Sequence, residues 1–363
     1  MFIKRSIFIL LLLSLFTGCF YIMNQHYDEL ARYPYELSED ERELVLDNLT
    51  NEDINYLVSQ KIEPSQFLPY IEIKDFVLEN TLWYDLAYQT QKPKHIDDDE
   101  AIKEYIVSFI NRYRSNLEYN ELEAMLSNYS YNVLTRFFDE KDYYVNDAKL
   151  IADPTNPYLV IKNKETIYTY VPSDLVSLND LPHDSIVPNS NDITIKESVV
   201  KPLKELLTAA KEINQKKYGG LKVIAGFISY EDQVSLYEEA QSIYGDSVLK
   251  YWDYPGQSEF QLGYTVRLLP EGAKTEFEQS EDDETVDKEE NEKLMEEMRN
   301  QEIWLKDNAY KYGFIIRYPK QKEEATGKTY QPFTLRYVGE EVAKKLHDLD
   351  AVLDEVDVQN LVE

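Results

Sequence analysis

Apolar positions in the first part of the chain recur at three- and four-residue spacing, the mark of helices that bury one face. Ser38-Glu39-Asp40-Glu41 has the Ser-x-x-Glu form of a capping box, and the helix it opens is expected to bury Leu44, Val45 and Leu46 in part. A second start lies at Thr50-Asn51-Glu52-Asp53, with Leu49 and Ile54 placed to staple it and Leu57 and Val58 continuing the period. Pro64 and Pro69 interrupt the pattern. Helices are predicted again over 76–88 and 101–113, where Ile102, Tyr105, Ile106, Phe109 and Ile110 make one stripe. Shorter helical or turn-like segments follow at 121–125 and 131–138. Residues 37–150 are therefore expected to form a small helical, Tyr-rich domain with its aromatic stripes as core.

The pattern changes at Asp153-Pro154-Thr155-Asn156-Pro157, which reads as a turn. Short extended segments are predicted at 158–161 and 168–172, and an amphipathic helix at 197–215 with Val200, Leu203, Leu206 and Leu207 on one face. A strand is expected at 221–227 and a helix at 232–244. The segment from Ile303 to Glu340 predicts the end of a helix, a strand in GFIIRYP, a polar turn, and a second strand in PFTLRYVG. Strands and helices mix without a regular βαβ rhythm, which predicts α+β.

Charge narrows the partners. A net charge of −30 excludes nucleic acid as a target, because an acidic surface repels phosphate. Much of the acid lies in TEFEQSEDDETVDKEENEKLMEEM (275–298), expected as a solvated loop and exposed helix. It lacks the Asp-x-Asp-x-Asp-Gly order of a calcium loop.

The N-terminus sets an address. Lys4 and Arg5, the apolar run from Ile7 to Phe16, and Thr17-Gly18-Cys19 form a secretory signal. FTGC resembles a bacterial lipobox, although Phe16 stands where leucine is usual. Cys19 is the single cysteine, so no intrachain disulfide is available, and its sulfur is the expected site of a diacylglyceryl anchor. The other reading is an uncleaved membrane helix. Both put the body outside the cytoplasm. The expected organisation is a signal at 1–19, a tether at 20–36, the helical domain, a second domain at 155–350 with an acidic insertion at 271–300, and a C-terminal tail at 351–363.

Four segments in order carry a resemblance: KNKETIYTYVPSDLVSL, AGFISYEDQVSLY, YPGQSEFQLGYTVRL and WLKDNAYKYGFIIRYPKQKEEATGKTYQPFTLRYVG. They are similar to the VanY-type D-alanyl-D-alanine carboxypeptidases of peptidase family M15, over residues 155–350. The resemblance implies a hedgehog/DD-peptidase-type domain with a small antiparallel sheet and flanking helices. It also implies a zinc hydrolase. In SEHxxGxxxD the His and Asp hold the metal, and in EPWH the His completes the set while the Glu moves a proton. Two imidazoles and a carboxylate leave a fourth coordination position for water.

This chain departs at each place. Phe260 stands for the first His, Arg267 for the Asp, Gln331 for the Glu and Thr334 for the second His. A benzyl ring ligates nothing, a guanidinium is permanently positive, and a neutral amide is no general base. Ile228 replaces the Arg of the family's SGYRS, a contact to the substrate carboxylate. No zinc or other cofactor is therefore expected. His26, His95, His183 and His347 lie outside the motifs, and His183 is the one within the domain that could turn toward the cleft. Ser229 and Ser258 lack a His partner for nucleophilic chemistry. Ser258 and Glu259 are retained beside the lost ligand. Arg267 is expected either to stand in for the missing cation, paired with Glu259 or another cleft carboxylate, or to point to solvent.

The expected protein is a lipid-anchored pseudoenzyme whose cleft, lined by Ile228, Ser258, Glu259, Phe260, Arg267, Gln331 and Thr334, binds a cell-wall stem peptide or a protein partner. The alternatives are an active carboxypeptidase with relocated ligands, and a structural envelope lipoprotein whose cleft is filled by its own side chains.

Overall fold

A computed structural model of the chain describes residues 2–25, 28–141, 144–188, 190–213, 220–277 and 288–362. Two compact units emerge, Met1–Leu126 and Ser127–Glu363.

The first unit is helical: α1 (Phe2–Gln25), α2 (Glu39–Asn48), α3 (Asn51–Gln60), α4 (Pro64–Phe67), α5 (Thr81–Thr90), α6 (Asp99–Tyr113) and the start of α7 (Tyr119–Asn128). Both capping boxes form, Ser38 with Glu41 and Thr50 with Asp53, so the first-turn amides of α2 and α3 find acceptors. Val45, Ile54, Leu57 and Phe67 pack together, whereas Leu46 stays exposed. On α6, Ile102, Ile106, Phe109 and Ile110 are buried as the stripe predicted, with Val107 taking the place expected of Tyr105. The helix predicted from residue 76 begins at Thr81, after a 3₁₀ turn at Leu78–Asn80.

The described part of the expected tether at 20–36 does not hang free. α1 continues to Gln25, and Leu30 and Tyr33 enter the core, the Tyr33 hydroxyl donating to Ile62 O at 2.7 Å. Two apolar side chains seated in a core cannot act as a free linker. Cys19 is exposed with a free thiol. Among the described residues no helix is long and apolar enough to cross a membrane.

The second unit opens with α8 (Tyr131–Asp139) and two short pairings: β1 (Lys149–Leu150) parallel to β2 (Glu165–Thr166), and β3 (Leu175–Ser177) antiparallel to β4 (Thr194–Lys196). The extended segments at 158–161 and 168–172 form no strands; β2 lies between them instead. Next come α9 (Glu197–Ile213), β5 (Leu221–Ala225), α10 (Tyr230–Tyr244), β6 (Thr265–Pro270) and α11 (Lys288–Asn308). β7 (Phe314–Tyr318), α12 (Glu323–Thr326), β8 (Gln331–Tyr337), α13 (Glu340–Leu349) and α14 (Val358–Val362) complete it. The main sheet is antiparallel, in the order β5-β6-β8-β7. α9 and α11 pack against the sheet, and α13 packs on β7. This is the α+β domain with a small antiparallel sheet and flanking helices. On α9 it is Val199, not Val200, that joins Leu203 and Leu206 in full burial. The end of that helix expected at Gln215 lies outside the described residues.

Gly313 turns the chain into β7 with φ +80, and a Cβ there would meet the Tyr337 ring at 2.7 Å. Both constraints select glycine. The C-terminal residues, expected as a tail, are part of the domain. Leu353 and Val358 join Ile315, Val338 and Leu346 in one cluster, and Asp354 enters an ionic network described below.

Candidate functional site

The site is built where the 3₁₀ turn Glu259–Leu262 meets β6 and β8. Gly263 ends that turn in the left-handed region, φ +74, with Lys196 Cγ 2.8 Å from where a Cβ would stand. Buried amides fix the turn in place. Gln261 donates to Tyr170 O at 2.9 Å and to Tyr168 O, and accepts from Gln233 at 2.8 Å. Gln233 donates also to Ile228 O and accepts from the Gly256 amide, each at 2.9 Å. A satisfied buried network of this kind holds one geometry, because each unpaired member would be costly.

Sheet register brings the altered positions together. Arg267 lies opposite Ala225 of β5 on one side and Thr334 of β8 on the other. The Arg267 guanidinium makes a two-pronged pair with Glu276, Nη1 to Oε1 at 2.7 Å and Nη2 to Oε2 at 2.8 Å. Its centre also lies 5.9 Å from the Trp252 ring. Thr334 donates to Gln331 Oε1 at 3.0 Å, and Gln331 donates to Tyr251 O at 3.1 Å. Phe260 packs with Ala225, Ile228 and Leu236, joined by Trp252 and Phe277, whose rings are 5.6 Å apart.

Arg267 therefore does hold a carboxylate, but that of Glu276 and not of Glu259. Glu276 and Phe277 come from the start of the acidic run, which is thus not wholly solvated. Its residues 278–287 lie outside the described residues, and on α11 Glu297 and Gln301 are buried.

Ser258 and Glu259 are each 5% exposed and so line no open cleft. The Glu259 carboxylate takes two bonds of 2.7 Å from Arg317 and lies 3.5 Å from Arg336 Nη1. Arg317 also reaches Asp354 at 2.5 and 3.1 Å. Burial by itself pushes the Glu259 carboxyl up; the guanidinia of Arg317 and Arg336 outweigh it and hold the group below the usual carboxylate range. Arg336 in addition donates to Pro157 O at 2.9 Å, tying the 153–157 turn to β8. This network is frame.

The donor set does not fit zinc. A phenyl ring, a guanidinium, an amide and a hydroxyl supply none of the imidazole or carboxylate ligands a tetrahedral site needs. Among the described residues no group of three or more His, Cys, Asp or Glu could hold a metal ion. His183 bridges Val223 at the edge of β5, its Nδ1 2.8 Å from Leu181 O. His26 lies outside the described residues. Ser229 is the N-cap of α10, bonded to the Asp232 carboxylate at 2.6 Å and amide at 3.1 Å.

Sequence reasoning missed Trp252, Glu276, Arg317 and Asp354. Arg317 carried a signal, a charge inside the apolar strand FIIRY, which demands a buried partner. Phe277 is the one aromatic of the acidic run, which sets it apart from its neighbours. Asp354 had no local signal.

Residues 192–340 match the VanY family, D-alanyl-D-alanine carboxypeptidase. The "Putative carboxypeptidase YodJ" of Bacillus subtilis (strain 168) is 33% identical over 227 residues, 60% of this chain and 75% of that protein. A D-alanyl-D-alanine carboxypeptidase of Enterococcus faecium is 27% identical over 189 residues, 51% of this chain and 52% of its own length. The solved structure of the LdcB LD-carboxypeptidase is 31% identical, with a TM-score of 0.44, over 59% of this chain and 92% of that one.

Proposed function

The chain belongs to the VanY-type D-alanyl-D-alanine carboxypeptidase family, and within it we propose a lipid-anchored, extracytoplasmic member that has given up hydrolysis for binding. One observation carries this reading: Arg267 and Glu276 form a closed ion pair where the family pattern has a metal-binding Asp. A fixed guanidinium there repels a divalent cation and leaves no water to activate. The ligand proposed for the cleft is a cell-wall stem peptide, the substrate class that the family description implies.

A second reading, a structural envelope lipoprotein, is favoured by the packing of Phe260, Trp252 and Phe277 on the Ala225, Ile228 and Leu236 cluster, which fills the cleft with the chain's own side chains. Hydrolysis with relocated ligands has no comparable support.

The test is incubation of the full chain, in detergent and with added zinc, with a muropeptide carrying a pentapeptide stem. Mass spectrometry is expected to find the peptide intact. Release of its terminal alanine would end the inactive reading. The anchor rests on FTGC and on the exposed Cys19 thiol. Cys19→Ser is expected to move the protein from the detergent phase to the aqueous phase in Triton X-114 partition. An unchanged distribution would count against a lipid on Cys19 as the attachment.

A further inference from the structure

We infer that Arg267 is a carboxylate receptor held shut by Glu276, and that a peptide ending in a small apolar residue with a free carboxylate opens it by taking the place of Glu276. This deepens the binding reading above and rests on it.

The geometry already shows what Arg267 accepts. Its guanidinium presents two N–H groups to one carboxylate at 2.7 and 2.8 Å, the fork arrangement that suits a chain-terminal carboxylate equally well. Two ion pairs in this domain differ in how firmly they are held. Arg317 and Glu259 are 2% and 6% exposed, and they come from a strand and a 3₁₀ turn. Arg267 and Glu276 are 24% and 12% exposed, and Glu276 lies on an irregular segment after β6. The second pair is therefore the one open to exchange with solvent and with a competitor.

Along the described part of that segment, burial falls off toward Glu276 and Phe277. Ala273 is buried with Ile224 and Leu269, and Thr275 is buried beside it, whereas Glu276 and Phe277 are only half-buried. Displacing Glu276 and Phe277 uncovers a guanidinium next to an apolar wall, Trp252 and the Ala225, Ile228 and Leu236 cluster on which Phe277 packs. A terminal carboxylate would bind the guanidinium while the apolar side chain beside it took up part of the space left by Phe277. Glu276, nine residues from Arg267, competes as a tethered ligand at an effective concentration on the order of millimolar. Only the fraction of molecules with the pair open can bind, so the apparent affinity is lowered by that fraction.

The experiment is calorimetric titration of the full chain in detergent with acetyl-Lys-D-Ala-D-Ala and with the same peptide as its C-terminal amide. Glu276→Gln removes the internal competitor and is expected to tighten binding of the free acid by roughly tenfold over the parent chain. The amide is expected to bind neither protein. Adding Arg267→Lys to Glu276→Gln keeps the charge, loses the fork and is expected to reverse most of the gain. The inference is overturned if Glu276→Gln binds the acid no more tightly than the parent, or binds acid and amide alike. Mass spectrometry of the same samples separates the two readings. A released alanine counts against the inactive function, whereas an intact but unbound peptide counts against the receptor alone.

Discussion

Arg317→Met is expected to destabilise the carboxypeptidase-like domain by about 3–5 kcal/mol, the cost of breaking a buried ion pair from one side. Arg317 is 2% exposed and spans two carboxylates, Glu259 and Asp354. Without it Glu259 keeps only the 3.5 Å contact with Arg336, and Asp354 loses the bond that holds the C-terminal residues to β7. A unit of this size loses roughly 2–4 °C of melting temperature per kcal/mol, so a fall on the order of 10 °C is expected by scanning calorimetry. Arg317→Lys keeps a charge but cannot serve both carboxylates in the same plane, so it should fall between the two. Pairing Arg317→Met with Glu259→Gln should cost less than the sum of the single changes, since the partners are coupled. A fall of under about 1 kcal/mol for Arg317→Met, the range of a surface ion pair, would show that the network does not hold the domain together.

The second large effect is a gain. Phe260→His, Arg267→Asp and Thr334→His, made together, are expected to create zinc affinity that the parent chain lacks. The reason is register. Arg267 and Thr334 are partners across β6 and β8, and Phe260, on the turn fixed by the Gln233–Gln261 amides, packs on the cluster that includes Ala225, the residue opposite Arg267 on β5. Without metal, Arg267→Asp sets a second carboxylate against Glu276, and the triple variant should melt below the parent. Zinc should reverse this, raising stability by about 2.7 kcal/mol at a hundredfold excess over the dissociation constant. Chelator competition and thermal melts with and without zinc measure both halves. No zinc-dependent rise in a folded variant would mean that the turn and strands no longer support the family's ligand geometry.

Part of this protein was legible without coordinates because its signals are local. A capping box is a four-residue event, so Ser38–Glu41 and Thr50–Asp53 announced two helix starts. The stripe on α6 and the strands around Phe314 and Leu335 followed from periodicity. By resemblance to the family pattern, Phe260, Arg267, Gln331 and Thr334 stand at its motif positions, and a phenyl ring, a guanidinium, an amide and a hydroxyl are not the side-chain types of that pattern.

The error over Glu259 shows the limit. Next to Phe260 in sequence, it looked like a wall of the same cleft. A 3₁₀ turn sends adjacent side chains in different directions, so Phe260 enters the apolar cluster while Glu259 meets Arg317.

Sequence alone thus determined the family and the α+β character of the domain, both of which rest on residue identity at fixed spacing. Tertiary structure decided which side chains meet. Glu276 closes on Arg267, Phe277 on Trp252 and Asp354 on Arg317. Of these partners, Glu276 and Phe277 sat in a run that composition assigns to solvent, and Asp354 in an apparent tail. No periodicity or motif encodes such contacts, because a charge on one segment finds its partner on another only after the sheet has set the two side by side.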